Sequence, residues 1–403
     1  MKKKNLMVFV LMFAMLFAFT ACAPKAPAEN TPVNPTVQPT KSDEIIIGSI
    51  QDLSGGMAVA GKQTKWGSEY AVNQINAKGG INGKKLKIVT YDCKSDANEA
   101  INVYNRLVQE KAVAMAGPGL SNIGIPLAAV AEEKKVAIVG QFMDERATTN
   151  EKTGKAWNYM FLAEPSCGQQ AQIMAGYAVD KLKIKTVAVL YDSSNSYATT
   201  HAEPFKKFVE SKGVQVVAYE SFGKDAKDYK AQLSVIIAKK PDAIFIPNYV
   251  QTNALAYKQA RLLGYKGMII GNNTYTPPFA SLVDGTKIDE NLVFLFNLDM
   301  QGKDVKFLTD DYLKQFNGEQ PAFNIAFGYD NVMIIANALS KVKDVSDTAA
   351  VAKAIEQETK DVATVSGKIT LNPETHRPVG MGAYVAKYDS TNKIQLMEYF
   401  IPK

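Results

Sequence analysis

Histidine occurs twice in this chain of 403 residues, tryptophan twice and cysteine three times. His201 and His376 have no Cys or acidic residues at metal-ligand spacing, so no metal centre is expected. His201 reads as part of a solvated helix face, and His376 as part of a loop around Pro373 and Pro378. No G-x-S-x-G elbow or Walker motif occurs, and Gly117-Pro118-Gly119 lacks the third glycine of a dinucleotide fingerprint. With no nucleophile–base pair in view, the chain reads as a non-enzyme without cofactor or catalytic residues. The formal charge is +6, and Lys2-Lys3-Lys4 supply half of it, so the basic balance gives no reason to expect nucleic acid. The apolar run from Leu6 to Phe19 is too short to span a bilayer.

That run, its lysine head and the small residues before Cys22 have the form of an export signal over residues 1–21. Phe19-Thr20-Ala21-Cys22 resembles a bacterial lipobox, with Phe19 where Leu is usual, and implies lipidation at Cys22. Residues 22–43 are rich in Pro and Thr and read as a disordered tether. Cys93 and Cys167 lie far apart in sequence and are expected as free thiols. Asp92 and Asp96 beside Cys93 read as helix-capping carboxylates at a strand end.

From Glu44 onward strands and helices alternate. Expected strands are Glu44–Ile50, Leu86–Tyr91, Ala112–Ala116 and Val136–Gly140, with helices over Lys65–Ala77, Ala97–Lys111 and Ile125–Lys135. After a break at Phe161–Ser166 the rhythm restarts with Val187–Tyr191, Val214–Tyr219, Ala243–Pro247 and Met268–Gly271. A helix over Phe323–Val342 and a hairpin-like end, Gly382–Asp389 with Gln395–Phe400, follow. This pattern predicts an α/β protein of two doubly wound parallel-sheet lobes. Ligands of such sheets sit beyond the carboxyl ends of the strands. The loops there include Gln51–Gly61, Gly117–Gly124, Gln141–Arg146, Asp192–Tyr197, Asn248–Gln251 and Asn272–Thr276.

One of these loops carries its own chemistry. Gly117-Pro118-Gly119-Leu120-Ser121-Asn122 joins a buried-type strand to a helical pattern in which Pro126 is tolerable only within the first turn. No Glu or Gln stands three residues after Ser121 to close a capping box, so the Ser hydroxyl and the helix-start N–H groups suit a carboxylate or phosphate. An ordinary strand-to-helix turn is the plainer alternative. Trp66 and Trp157 read as packing residues, and Phe142 as either cleft wall or core.

Glu69–Tyr91, EYAVNQINAKGGINGKKLKIVTY, resembles the leucine/isoleucine/valine-binding protein family, solute receptors of ATP-driven amino-acid importers. Ser54-Gly55, Tyr191-Asp192 through Tyr197, Gln259–Gly264 and Gly328-Tyr329-Asp330 fit the same pattern. The resemblance implies a type I periplasmic-binding-protein fold whose lobes are joined by three crossings and close on a ligand. It implies a first lobe of residues 44–162 and 297–377, and a second of 163–296 and 378–403. Position by position, it puts Ser121 on a ligand carboxylate and Tyr197 and Tyr249 over the ligand from the second lobe. Ala60 stands where an aromatic is common, Asp144 where Thr or Ser helps hold the carboxylate, and Asn273 where an acid often receives the ammonium. The negative charge therefore looks exchanged between lobes, with Asp144 expected to take the ammonium. Asn122 and Phe142 complete the expected site. The implied protein is an extracytoplasmic, lipid-anchored monomer that delivers an amino acid to a permease with ATPase subunits. The alternatives are an exported ligand sensor of the same fold, or a receptor for an amide, urea-like or organic-acid solute.

Overall fold

The computed structural model describes residues 44–223, 226–283 and 285–402. The signal, the tether and Cys22 lie outside the described residues. The chain begins with β1 (Ile45–Gln51), α1 (Ala58–Ala77), β2 (Leu86–Asp92), α2 (Ala97–Gln109), β3 (Ala114–Ala116), α3 (Ser121–Lys134) and β4 (Ala137–Gly140). A 3-10 turn (Glu145–Ala147), a short antiparallel pair, β5 (Thr149–Asn150) with β6 (Lys155–Ala156), and β7 (Met160–Leu162) follow. Five of these strands form a parallel sheet in the order β2-β1-β3-β4-β7. Every residue of β3, β4 and β7 is buried, as expected for strands covered on both faces.

The second sheet begins after α4 (Cys167–Asp180). Its strands are β8 (Thr186–Asp192), β9 (Gln215–Phe222), β10 (Ala243–Ile246), β11 (Met268–Gly271) and β12 (Leu292–Phe296), with α5 (Ser196–Ser211), α6 (Lys230–Ala238), α7 (Val250–Leu262) and α8 (Phe279–Leu282) between them. Alternate residues go to opposite faces: Val187, Val189 and Phe245 pack with α4 and α5, whereas Ala188, Leu190, Ile244 and Ile246 pack with α6 and α7.

The chain then returns to the first lobe as α9 (Lys306–Gln315), α10 (Asn324–Leu339), α11 (Thr348–Glu358) and the hairpin β13 (Val362–Thr364) with β14 (Gly367–Ile369). It ends in the second sheet as β15 (Ala383–Tyr388) and β16 (Ile394–Phe400), antiparallel on the edge beside β12. The fold is thus the expected pair of α/β lobes with three crossings between the sheets.

Several expectations change. Helix α1 begins at Ala58 rather than Lys65, and α3 at Ser121 rather than Ile125. Pro126 therefore lies beyond the first turn of α3, where it removes the N–H that would reach the Asn122 carbonyl. His201 is fully buried instead of solvated, with Nδ1 2.8 Å from the Tyr197 carbonyl. His376 is buried too, stacked on Phe161 at 4.3 Å between centroids. Cys93 and Cys167 are buried and unbridged, and Asp96 caps α2 by accepting from Glu99 N at 2.8 Å.

Helices α1 and α10 meet backbone to backbone. A Cβ on Gly67 would lie 1.9 Å from the Ile325 carbonyl oxygen, and one on Gly328 1.9 Å from that of Thr64. Ser68 Oγ bridges the two helices, donating to the Gly328 carbonyl at 3.0 Å. Trp66 closes the end of this seam, with Nε1 donating to Gln315 and its ring edge-on to Tyr312. Gly328→Ala should force the helices apart and destabilise the protein by about 1–3 kcal/mol, as overpacked cores do. Urea denaturation measures this, and an unchanged midpoint would show that the seam yields freely.

Candidate functional site

The first lobe offers the start of α3. Gly117, at φ +86°, presses against β1, and a Cβ there would lie 2.7 Å from the Ile50 carbonyl oxygen. The helix follows with Leu120 as N-cap and no side-chain cap. Ser121 Oγ accepts from Asp144 N at 3.1 Å, and its own hydrogen remains available to donate. Asn122 is exposed on the same turn, and Ala60 is half-buried on the first turn of α1; neither hydrogen-bonds to the other expected site residues. Phe142, left between wall and core by the sequence, is core. Its ring fills the space beside Gly124 and Gly140, where added Cβ atoms would lie 2.6 Å and 2.8 Å from it.

Asp144 is fully buried and heavily partnered. It accepts from Arg146 N at 3.0 Å, Arg146 Nε at 3.0 Å, Arg146 Nη2 at 2.6 Å and Ser196 Oγ at 2.5 Å. Burial alone would raise its carboxyl; the Arg146 and Ser196 hydrogen bonds outweigh that and hold it below the ordinary carboxylate range. The anion expected to receive an ammonium is therefore already matched by a guanidinium two residues away. Ser196 opens α5, so this cluster also joins the two lobes, and Arg146 Nη2 meets Ser196 Oγ as well. Glu145 reinforces the junction by accepting from Ser166 Oγ at 2.6 Å and pairing with Arg377.

The second lobe contributes an aromatic and amide wall. Tyr197, nearly buried, stacks on Tyr249 at 4.8 Å and 8° between planes. Its hydroxyl donates to Asn273 Oδ1 and accepts from Asn272 Nδ2 at 3.1 Å. Burial keeps that phenol well above its ordinary value, and it lowers the His201 imidazole beneath it to about 4, so both groups are neutral at pH 7. Tyr249 is half-exposed and Asn273 buried. Asn248, Asn253 and Thr274 lock the loops after β10 and β11 together: Asn253 Nδ2 donates to the Asn248 carbonyl at 2.7 Å and to Thr274 Oγ1 at 2.8 Å. A cavity of about 530 Å³ opens beside the junction, lined by Asp144, Arg146, Ser193, Ser196, Thr200 and Lys207 among others.

The structure thus brings Ser121 and Asp144 together on one side and Tyr197, Tyr249 and Asn273 on the other, joined through Ser196. Arg146 and Ser196 were not singled out from the sequence, although both lie in loops it marked. The available signal was an acid followed two residues later by Arg, the spacing at which a 3-10 turn can fold one side chain onto the other.

A family profile described as "Periplasmic binding protein" matches residues 44–393. Leu/Ile/Val-binding protein homolog 3 of Brucella melitensis is 27% identical over 327 residues, 81% of this chain and 87% of that relative. A leucine-, isoleucine-, valine-, threonine- and alanine-binding protein of Pseudomonas aeruginosa is 25% identical over 323 residues, covering 80% and 85% respectively. Among solved structures, a branched-chain amino-acid transporter substrate-binding protein of Streptococcus pneumoniae, in complex with isoleucine, superposes with a TM-score of 0.71 and 27% identity, covering 88% of this chain and 99% of that one. A leucine-binding protein of Thermotoga maritima gives 0.74 at 24% identity, covering 89% and 99%, and so speaks to the fold.

Because Asp144 is held ionised, its contribution to stability is present above the ordinary carboxyl value and is lost as pH falls through the depressed one. Asp144→Asn should cost about 1.5–3 kcal/mol at neutral pH. The gap to the unsubstituted protein should narrow below pH about 4. Equal losses at both pH values in urea denaturation would show that the side chain acts by shape and not by charge.

Proposed function

We propose, on the premise that the chain belongs to the periplasmic binding protein family, that it is the extracytoplasmic solute-binding protein of an ABC importer. Its cleft takes an amino acid and its two lobes close over it. One observation carries this reading: the start of α3 and the Tyr197–Tyr249–Asn273 wall belong to different lobes and meet at the Asp144–Ser196 contact. The Ser121 hydroxyl and the opening N–H groups of α3 suit the ligand's carboxylate, where a helix start favours negative charge. Tyr197, Tyr249 and Asn273 cover the rest of it, with Ala60 leaving room for a side chain. Relatives named for leucine, isoleucine and valine support an aliphatic amino acid.

The pairing of Asp144 with Arg146 favours a second ligand class. A cleft whose acid is already neutralised suits a solute without a free ammonium, an organic acid or an amide. Should an ammonium bind, Asp144 has to share its charge between it and Arg146. The permease and its ATPase subunits are the partners of this reading, Cys22 its lipid anchor, residues 22–43 its tether, and residues 297–377 and 378–403 the returns of the chain to the first and second lobes. In the sensor alternative the same cleft reports ligand to a partner and nothing is transported.

A thermal-shift screen over leucine, isoleucine and valine, their 2-hydroxy acids and their amides tests the ligand class. A specific ligand at about a hundred times its dissociation constant should add roughly 2.7 kcal/mol. Stabilisation by the amino acids alone supports the first class, and by the hydroxy acids or amides alone the second. No stabilisation by any of them would overturn the aliphatic reading.

A further inference from the structure

The three segments that pass between the lobes run side by side. Ala163 and Glu164 follow β7, Asn297 and Leu298 follow β12, and Met381 and Gly382 precede β15; all six line one cavity of about 370 Å³. Within it Glu164 is 3% exposed. Asn297 Nδ2, on the second crossing, donates to Glu164 Oε2, on the first, at 3.2 Å. The other oxygen of each side chain, Glu164 Oε1 and Asn297 Oδ1, is closed off from solvent and has no hydrogen-bond partner.

Two buried acceptors on side chains that already share one hydrogen bond pose a definite chemical problem. An ionised carboxylate and an amide oxygen both accept and neither donates. An unpaired buried carboxylate is costly, and among the described residues no cation forms an ion pair with Glu164. The groups around it are Asp330 from α10, Cys167 from α4, Tyr197 from α5, Asp299, Lys303 and Asp304 from the loop before α9, and Tyr384 and Tyr399 from β15 and β16. Lys303 is exposed at the cavity's edge, and the acids repel a further negative charge. The two unpartnered oxygens are closed off from solvent, and a proton shared between the side chains satisfies both without an added atom.

We propose that Glu164 is a neutral carboxylic acid that donates its proton to Asn297 Oδ1, tying the first crossing to the second by a paired acid–amide contact, and that losing this proton loosens the hinge. Burial pushes the Glu164 carboxyl well above its ordinary value, and the neighbouring Asp330 pushes it the same way. Asp330 is itself raised to about 7 by burial. The sign follows from the direction of the shift. A raised carboxyl contributes its full stability below the ordinary carboxyl value and loses it as pH rises through the raised one. Lobe mobility should therefore increase on the alkaline side. Only this consequence rests on the closing-lobe reading above, and the tests use ligand-free protein, so failure of that reading is scored separately.

Glu164→Gln presents the same donor–acceptor pair without a titrating proton. Relative to this variant, the unsubstituted protein should lose up to about tenfold in its folding constant for each pH unit above the ordinary carboxyl value. Infrared difference spectra between the two at neutral pH should show a protonated-carboxyl C=O stretch that the variant lacks. Spin labels, one per lobe, should give a distance distribution that broadens toward alkaline pH in the unsubstituted protein and stays fixed in Glu164→Gln. If Glu164→Gln does not fold, Asn297→Ala keeps the acid and should shift its C=O band, which assigns the band to Glu164. Absence of the protonated band, an Asn297→Ala band that does not move, or identical pH profiles for the protein and Glu164→Gln would overturn the proposal.

Discussion

The backbone contact between α1 and α10 at Gly67 and Gly328 governs much of this architecture. It joins a helix near the start of the described chain to one some 260 residues later, since Ser68 hydrogen-bonds Gly328 at that separation. The first lobe's core is complete only when α10 and α11 have returned to it, after the whole second sheet has been laid down. The chain must leave the first lobe, come back and leave again. The seam requires the return, the pairing of β15 with β12 the final departure, and the crossings put Glu164 beside Asn297. Side-chain-bearing residues at the two glycines would hold the helices apart and loosen that return.

Where one element dominates its surroundings, the sequence was a sufficient guide. Strands such as Ala243–Ile246 are apolar throughout because they are buried on both faces, and short apolar runs bounded by turns mark them clearly. Where tertiary contact decides, the pattern was mute. The first turns of α1 contain Gly61, whose Cβ would lie 1.8 Å from the Asp52 carbonyl oxygen, and small or polar residues give that stretch little helical signal. β12 (Leu292–Phe296) carries the same apolar signal as β10 and was passed over, whereas the β13–β14 hairpin, three residues a strand, is defined by its partners. His201 looked solvated because its neighbours Thr199, Thr200 and Glu203 are polar, yet α5 turns that side beneath Tyr197.

The site was legible as a set of loops and only partly as chemistry. Ser121, Tyr197, Tyr249 and Asn273 stand in two facing walls, but the role expected of Asp144 depended on its being unpaired. A 3-10 turn places Arg146 back over the carboxylate through Nε and Nη2, a side-on fork that leaves little of the charge unmatched. Charge pattern alone says that Asp144 and Arg146 are close; the turn decides that they hold each other. The same pair then reaches Ser196, so one cluster both neutralises the wall and bridges the lobes.

The buried acids of this protein pull stability in opposite directions with pH, and their positions explain why. Asp144 sits at the lobe junction with a guanidinium and a hydroxyl, which favour its anion enough to overcome burial. Asp330 is also buried and hydrogen-bonded, accepting from Val365 N at 2.9 Å, but among the described residues no cation forms an ion pair with it, and burial raises it to about 7. Protonating Asp144 removes the charge that binds Arg146, so that contribution is lost as pH falls. Ionising Asp330 places a bare charge between α10 and the β13–β14 turn, so its contribution is lost as pH rises from the ordinary carboxyl value toward about 7. The two slopes cross on the acidic side of neutrality. Below the crossing the junction between the lobes weakens first; above it, the weakening begins where α10 meets the hairpin, next to the chain crossings between the lobes.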